Sequence, residues 1–146
     1  MDQEKIYKVA PSGLDYALKC KRCLWLSNKG IKLDSFFPPI FNSFDLIQKK
    51  FLIKKSVKLI SDILPEGRIM NEISGFIGSS KLKDKKGRSF IIRGKTDIVV
   101  EFKTNPKKYG IIDLKTTSIN PSKIENYKLQ LEGYATIFEN PNSKTP

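Results

Sequence analysis

The chain has 146 residues, 39% of them hydrophobic, with 27 Lys and Arg against 15 Asp and Glu, a net charge of +12 and no histidine. That is one domain's worth of chain with enough apolar residues for a core, and the cationic surplus points to a polyanionic partner, nucleic acid before anionic membrane. Two cysteines exclude a disulfide-rich secreted scaffold, and the lack of histidine excludes a Ser-His-Asp triad, a Cys-His dyad and any His-ligated zinc site.

In chain order, the polar stretch 1–10 lacks the apolar centre of a signal peptide, and no apolar run in the chain reaches the roughly 18 residues of a membrane span. A reducing cytoplasm is the default expectation. Ser12 is placed to cap a helix starting near Gly13, with Asp15 in its first turn and Gly30 as its stop. Residues 31–42, with Pro38-Pro39, read as a loop. A second helix is expected over 43–64, stopped by Pro65. On a helical wheel Leu46, Leu52, Ile53, Val57, Leu59, Ile60, Ile63 and Leu64 share one face, and Lys50, Lys54, Lys55 and Lys58 lie opposite. Asp45 and Lys49 are exceptions that project towards the apolar side.

Beyond Pro65 the pattern becomes β-like. A strand is expected over 68–79, a basic turn over 81–88, and strands over 89–103 and 109–117 joined by a hairpin loop at 104–108. Asn120 and Pro121 then open a helix that runs to about Glu139.

The hairpin concentrates the chemistry. A register symmetric about Asn105 sets Asp97 directly opposite Asp113, with Cβ atoms about 4.5–5.5 Å apart. Two carboxylates so placed repel unless a cation lies between them, and hard oxygen donors suit Mg²⁺ or Mn²⁺. Lys115 falls on the same strand face as Asp113, where an ammonium can hold a nucleophilic water or stabilise charge growing on a phosphate. Gln130 and Tyr134, four residues apart, share one face of the following helix. Plainer alternatives stand beside these: a solvated strand Asp, a surface Asp113–Lys115 pair, an exposed Gln130, a core Tyr134.

The runs Gly94-Lys95-Thr96-Asp97, Asp113-Leu114-Lys115-Thr116 and Gln130 through Tyr134 resemble the G-x-x-D, D-x-K-T and Q-x-x-x-Y series of the PD-(D/E)XK nuclease superfamily, on its RecB-like and CRISPR-adaptation-nuclease side. The basic-aromatic segment Cys20-Lys21-Arg22-Cys23-Leu24-Trp25-Leu26 is similar to the one that opens many RecB-like domains. The resemblance implies an α/β fold with a restriction-endonuclease-like α-β-β-β-α core over 43–146, preceded by an N-terminal helical segment over 1–42. It implies a Mg²⁺- or Mn²⁺-dependent deoxyribonuclease acting in DNA repair, recombination or defence. Asp97 and Asp113 would be metal ligands and Lys115 the catalytic lysine, with Gln130 and Tyr134 organising the site or the DNA. Lys50, Lys54, Lys58 and the 81–88 loop are the expected phosphate contacts.

The chain departs from that pattern in three ways. The RecB-like helix histidine is missing; Asp45 is the candidate replacement ligand, Glu72 a weaker one, and a first-turn acid or a partner for Lys49 is the alternative for Asp45. The family core has a further strand after the closing helix, so a C-terminally truncated core is the expectation. Cys20 and Cys23 alone cannot complete an iron–sulfur cluster; they read either as small thiols or as metal ligands whose companions lie elsewhere. A non-catalytic nucleic-acid-binding domain on the same fold is the alternative function.

Overall fold

A computed structural model describes residues 6–31, 38–70, 76–116, 120–121 and 124–143. Contacts divide the chain into two units interleaved in sequence, where a single boundary near residue 42 is expected from the sequence. One unit comprises Met1–Asp34, Phe76–Lys95 and Ile119–Pro146; the other comprises Ser35–Gly75 and Thr96–Ser118.

In the first unit, β1 (Tyr7–Val9) leads into a 3-10 turn at Pro11–Gly13 and then α1 (Leu14–Lys19) and α2 (Lys21–Asn28). The single helix expected from Gly13 to Gly30 is thus interrupted at Cys20, whose φ of −155° and ψ of 88° leave the helical region. Neither reading of the two cysteines holds: Cys20 and Cys23 are joined in a disulfide, and the Cys20 Sγ also accepts from the Cys23 N–H. Strand β5 (Ser89–Gly94) is the centre of this unit's sheet. β1 runs parallel on one side of it, and the short strands β3 (Ile77–Gly78) and β4 (Leu82–Lys83) pair antiparallel with it on the other. Helix α4 (Ile124–Glu139) packs on the sheet through Tyr134 and Ile137, which are 5% and 0% exposed.

Two glycines make that packing close. A Cβ on Gly94 would lie 2.9 Å from both Pro11 Cδ and Tyr134 Cε1, and one on Gly133 would lie 2.8 Å from Leu14 Cδ1. Strand, proline and helix therefore meet at a distance that only glycine allows.

In the second unit, β6 (Ile98–Phe102) lies between β2 (Gly67–Ile69) and β7 (Lys108–Ile112), both antiparallel to it. Val57, Ile69, Ile98 and Val100 form the buried core, with Leu52, Ile60, Leu64, Ile112 and Leu114 packed around them. The helix before this sheet differs from expectation at both ends. α3 runs Pro39–Leu52, beginning inside the expected loop because proline at the first helical position needs no N–H partner. It ends at Leu52, well short of the expected stop at Leu64. Ile53 is extended, Lys54 is left-handed at φ 63°, and residues 54–56 pair with β2 instead: Lys54 N–H donates to the Ile69 carbonyl and Ile69 N–H to the Lys55 carbonyl. Ser56 then accepts from the Lys58 N–H and starts a 3-10 turn at Val57–Leu59.

Part of the expected apolar face still reaches the core by this route, namely Val57, Ile60 and Leu64. Leu46, Leu59 and Ile63 do not; they are exposed. The lysine face is also dispersed. Lys50 is on α3, Lys54 in the left-handed turn, and Lys58 on the 3-10 turn, donating to the Asp62 carbonyl.

The fold is mixed α/β, with the expected strands distributed over two sheets. The 68–79 run contains β2 and β3 in different sheets, and residues 71–75, with Glu72, lie outside the described residues. The 89–103 run is β5 and β6, separated at residues 95–97. The expected 109–117 strand ends at Ile112, with Thr117 outside the described residues. Among the described residues, no helix is long and apolar enough to cross a membrane.

Candidate functional site

The β6–β7 ladder pairs Ile98 with Ile112, Val99 with Ile111 and Val100 with Gly110, the register symmetric about Asn105. Asp97 and Asp113 flank the last rung. The next link across the hairpin is made by a side chain: the Leu114 N–H donates to Asp97 Oδ2 at 2.9 Å. This bond holds the Asp97 carboxylate against the backbone that carries Asp113, near enough for its charge to act on the Asp113 carboxyl.

Three more side chains complete a chain of charges within this unit. Lys115 Nζ lies 2.5 Å from Asp113 Oδ2. Lys49, in the last turn of α3, sets its Nζ 2.7 Å from Asp97 Oδ1 and 2.8 Å from Asp45 Oδ2. The Asp113 side chain is 8% exposed, Lys49 12% and Asp97 20%, whereas Asp45 is 41% exposed. The order Asp45–Lys49–Asp97–Asp113–Lys115 carries three negative and two positive charges.

Burial pushes the Asp113 carboxyl above its ordinary range; Lys115 opposes this by hydrogen bond and charge, while the Asp97 carboxylate adds to it. Burial acts to lower the Lys49 ammonium, but hydrogen bonds and charge from Asp45 and Asp97 outweigh it and hold the pKa above the usual lysine value. Lys49 is therefore a cation fixed between two carboxylates. Its position towards the apolar side of the helix was the sequence signal for it; its partner Asp97, 48 residues away, was not readable from that position.

The sequence candidates are distributed as follows. Asp97, Asp113 and Lys115 come together. Asp45 is joined to them only through Lys49, so a three-carboxylate cluster is not formed; among the described residues no group of three His, Cys, Asp or Glu side chains is placed to hold a metal ion. Gln130 and Tyr134 lie on α4 in the other unit, where the buried Tyr134 hydroxyl donates to the Lys95 carbonyl at 2.7 Å. Gly94, read as a motif residue, has a packing role there against Pro11 and Tyr134. In the 81–88 turn Asp84 accepts from the N–H groups of Lys86 and Arg88 and from the Arg88 guanidinium, which offsets part of that turn's positive charge.

Asp97 and Asp113 carry hard carboxylate oxygens, the donor type that Mg²⁺ and Mn²⁺ take, and in this structure those oxygens are paired with Lys49 and Lys115. Mg²⁺ commonly takes one or two carboxylates from the protein and fills the remaining positions with water and substrate phosphate. A third carboxylate is not required. Compared with protein-family models, with curated proteins and with solved structures, the chain matches none of them.

Proposed function

We propose that the chain is a metal-dependent deoxyribonuclease of the PD-(D/E)XK type, with Asp97 and Asp113 holding Mg²⁺ or Mn²⁺ and Lys115 acting on the reacting phosphate. The observation that carries this reading is the placing of two carboxylates at the open end of a hairpin, one of them nearly buried, with a lysine two residues further along the segment that leaves β7. Lys49 and Lys115 compensate the two carboxylates in part, and the five-residue cluster with Asp45 still carries one net negative charge. In chain order this unit contains α3, β2, β6 and β7, while β3 and β5, which fall in the expected 68–79 and 89–103 core strands, belong to the other unit.

When bound, the ion supplies Lewis-acid polarisation of the phosphate and acidifies its water. The protein's part is positional and electrostatic. The Leu114 N–H orients Asp97, and the hairpin register brings Asp113 beside it. Lys115, whose ammonium pairs with Asp113, would stabilise negative charge on a phosphate brought beside that carboxylate. Lys49 holds Asp97 from the helix side. The surplus of cations across the chain favours a polyanionic substrate.

A second reading has one observation in its favour. The Lys49 ammonium already compensates Asp97 and Asp45, which is how a charge cluster with no metal would be stabilised; on that reading the chain binds nucleic acid without cutting it. Incubating the full chain with linear DNA and Mn²⁺ separates the two. Cleavage that disappears on chelation and in Asp113→Ala supports the nuclease. Saturable Mn²⁺-independent binding with intact DNA supports the binding domain.

A further inference from the structure

The basic-aromatic segment around Trp25 has no part in the site above, yet it has a structure of its own. Trp25 is the only tryptophan of the chain, and on α2 it is 58% exposed. It lines a cavity of about 510 Å³ together with Tyr7, Lys8, Lys29 and Arg88, all within the first unit. That volume is within the range of about 300–1,000 Å³ usual for ligand pockets. Tyr7 is also exposed, at 43%, on β1, the edge strand of its sheet. The Lys29 ammonium lies 5.6 Å from the centroid of the Trp25 ring. Among the described residues the lining carries three cations and no carboxylate. The Arg88 guanidinium is engaged by Asp84, and the Arg88 side chain as a whole stays 62% exposed.

Two aromatic side chains exposed to water beside three cations suit an occupant with flat apolar faces and negative charge. Single-stranded nucleic acid has both: unpaired bases stack on aromatic rings and phosphates meet the cations, whereas a duplex hides its base faces. We propose that this groove is a docking site for single-stranded DNA, with a base stacked on Trp25 and neighbouring phosphates held by Lys8, Lys29 and Arg88. The choice of DNA over RNA rests on the nuclease reading; the stacking and phosphate contacts do not.

Because the chain has one tryptophan, its fluorescence reports this groove alone. The test titrates short oligo(dT) into the full chain carrying Asp113→Asn, in EDTA, so that no cleavage intervenes. The expected result is saturable quenching of Trp25. A labelled oligo(dT) followed by anisotropy should bind about tenfold more weakly to Trp25→Ala. Lys29→Glu should weaken it as well, and Trp25→Phe should keep most of the affinity. Both positions are exposed, so circular dichroism melts should match the parent; if Trp25→Ala melts early, Lys29→Glu and Trp25→Phe decide. Binding without quenching, or equal affinity in Trp25→Ala and the parent, would overturn the proposal. Equal quenching by a duplex would overturn the single-strand assignment, and tighter binding of oligo(U) the choice of DNA. Cleavage is read separately on the unmodified chain, so a failed nuclease assay leaves the quenching result standing, and the reverse also holds.

Discussion

Asp113 and Lys115 are two residues apart just beyond the end of β7, and on the proposed reading their opposite charges separate their roles. Lys115→Ala should abolish cleavage and leave Mn²⁺ affinity within a few-fold, because carboxylates hold the ion; removing a nearby cation would move that affinity upward. Asp113→Ala should lose metal and cleavage together. Cleavage rates and Mn²⁺ titrations on the two variants check this, and cleavage retained in Lys115→Ala excludes the proposed role for that lysine. A second expectation concerns pH. Burial raises the folded-state pKa of Asp113 above its unfolded value, so the folded protein binds that proton more tightly. The corresponding stability is present below the ordinary carboxylate range, near pH 4, and is lost as pH rises through the folded pKa. Metal-free Asp113→Asn should therefore melt higher than the parent at pH 7, with the difference closing as the pH falls below about 4. A variant that melts lower at neutral pH would mean that the Lys115 pair outweighs burial.

Elements are joined in this protein by close approaches that leave no room for a methyl group. Gly94 is flanked by a proline ring and by the ring of Tyr134, which its own hydroxyl anchors to the Lys95 carbonyl. Neither neighbour is a flexible side-chain end that can swing aside. Gly94→Ala should cost roughly 1–3 kcal/mol, the usual range for overpacking a filled site. Urea denaturation measures this, and a change within a few tenths of a kcal/mol would show that Pro11 or α4 shifts without penalty. The same contacts explain a sequence signal that had two meanings. Gly94, the glycine that precedes Asp97 in the G-x-x-D pattern, marks helix–strand contact whether or not the motif around it serves catalysis.

For the molecule as a whole, the charge surplus of +12 would set how the proposed DNA binding responds to salt. Lys50, Lys54 and Lys58 do not form one helical stripe, so on the proposed reading they would meet phosphates from separate local surfaces rather than along a single ridge. Affinity for duplex DNA should still fall with salt, log K against log salt having a slope of about −0.9 per phosphate contact. Reversing Lys50 or Lys54 singly should reduce that slope by about one contact and leave sequence preference unchanged. Titrations at several salt concentrations read both quantities; an affinity indifferent to salt would remove DNA as the partner of these lysines.

The hairpin register was legible in the sequence because it depends on a local loop and two adjacent strands, and the pairing about Asn105 carries Asp97 to Asp113 without help from the rest of the chain. The apolar members of the core beyond Leu52 were partly legible for a similar reason, since hydrophobic residues are buried by whatever conformation reaches the core. The conformation itself was not. The end of α3 at Leu52 follows from hydrogen bonds that residues 54–56 make with β2, a strand whose alignment depends in turn on β6. The disulfide between Cys20 and Cys23, the contact of Gly94 with Pro11 and Tyr134, and the pairing of Lys49 with Asp97 were likewise decided in three dimensions. Local periodicity and turn symmetry reach only as far as neighbouring elements. Which backbone edge captures a segment, and which distant carboxylate receives a lysine, is decided by the competing contacts that only the folded chain brings within range.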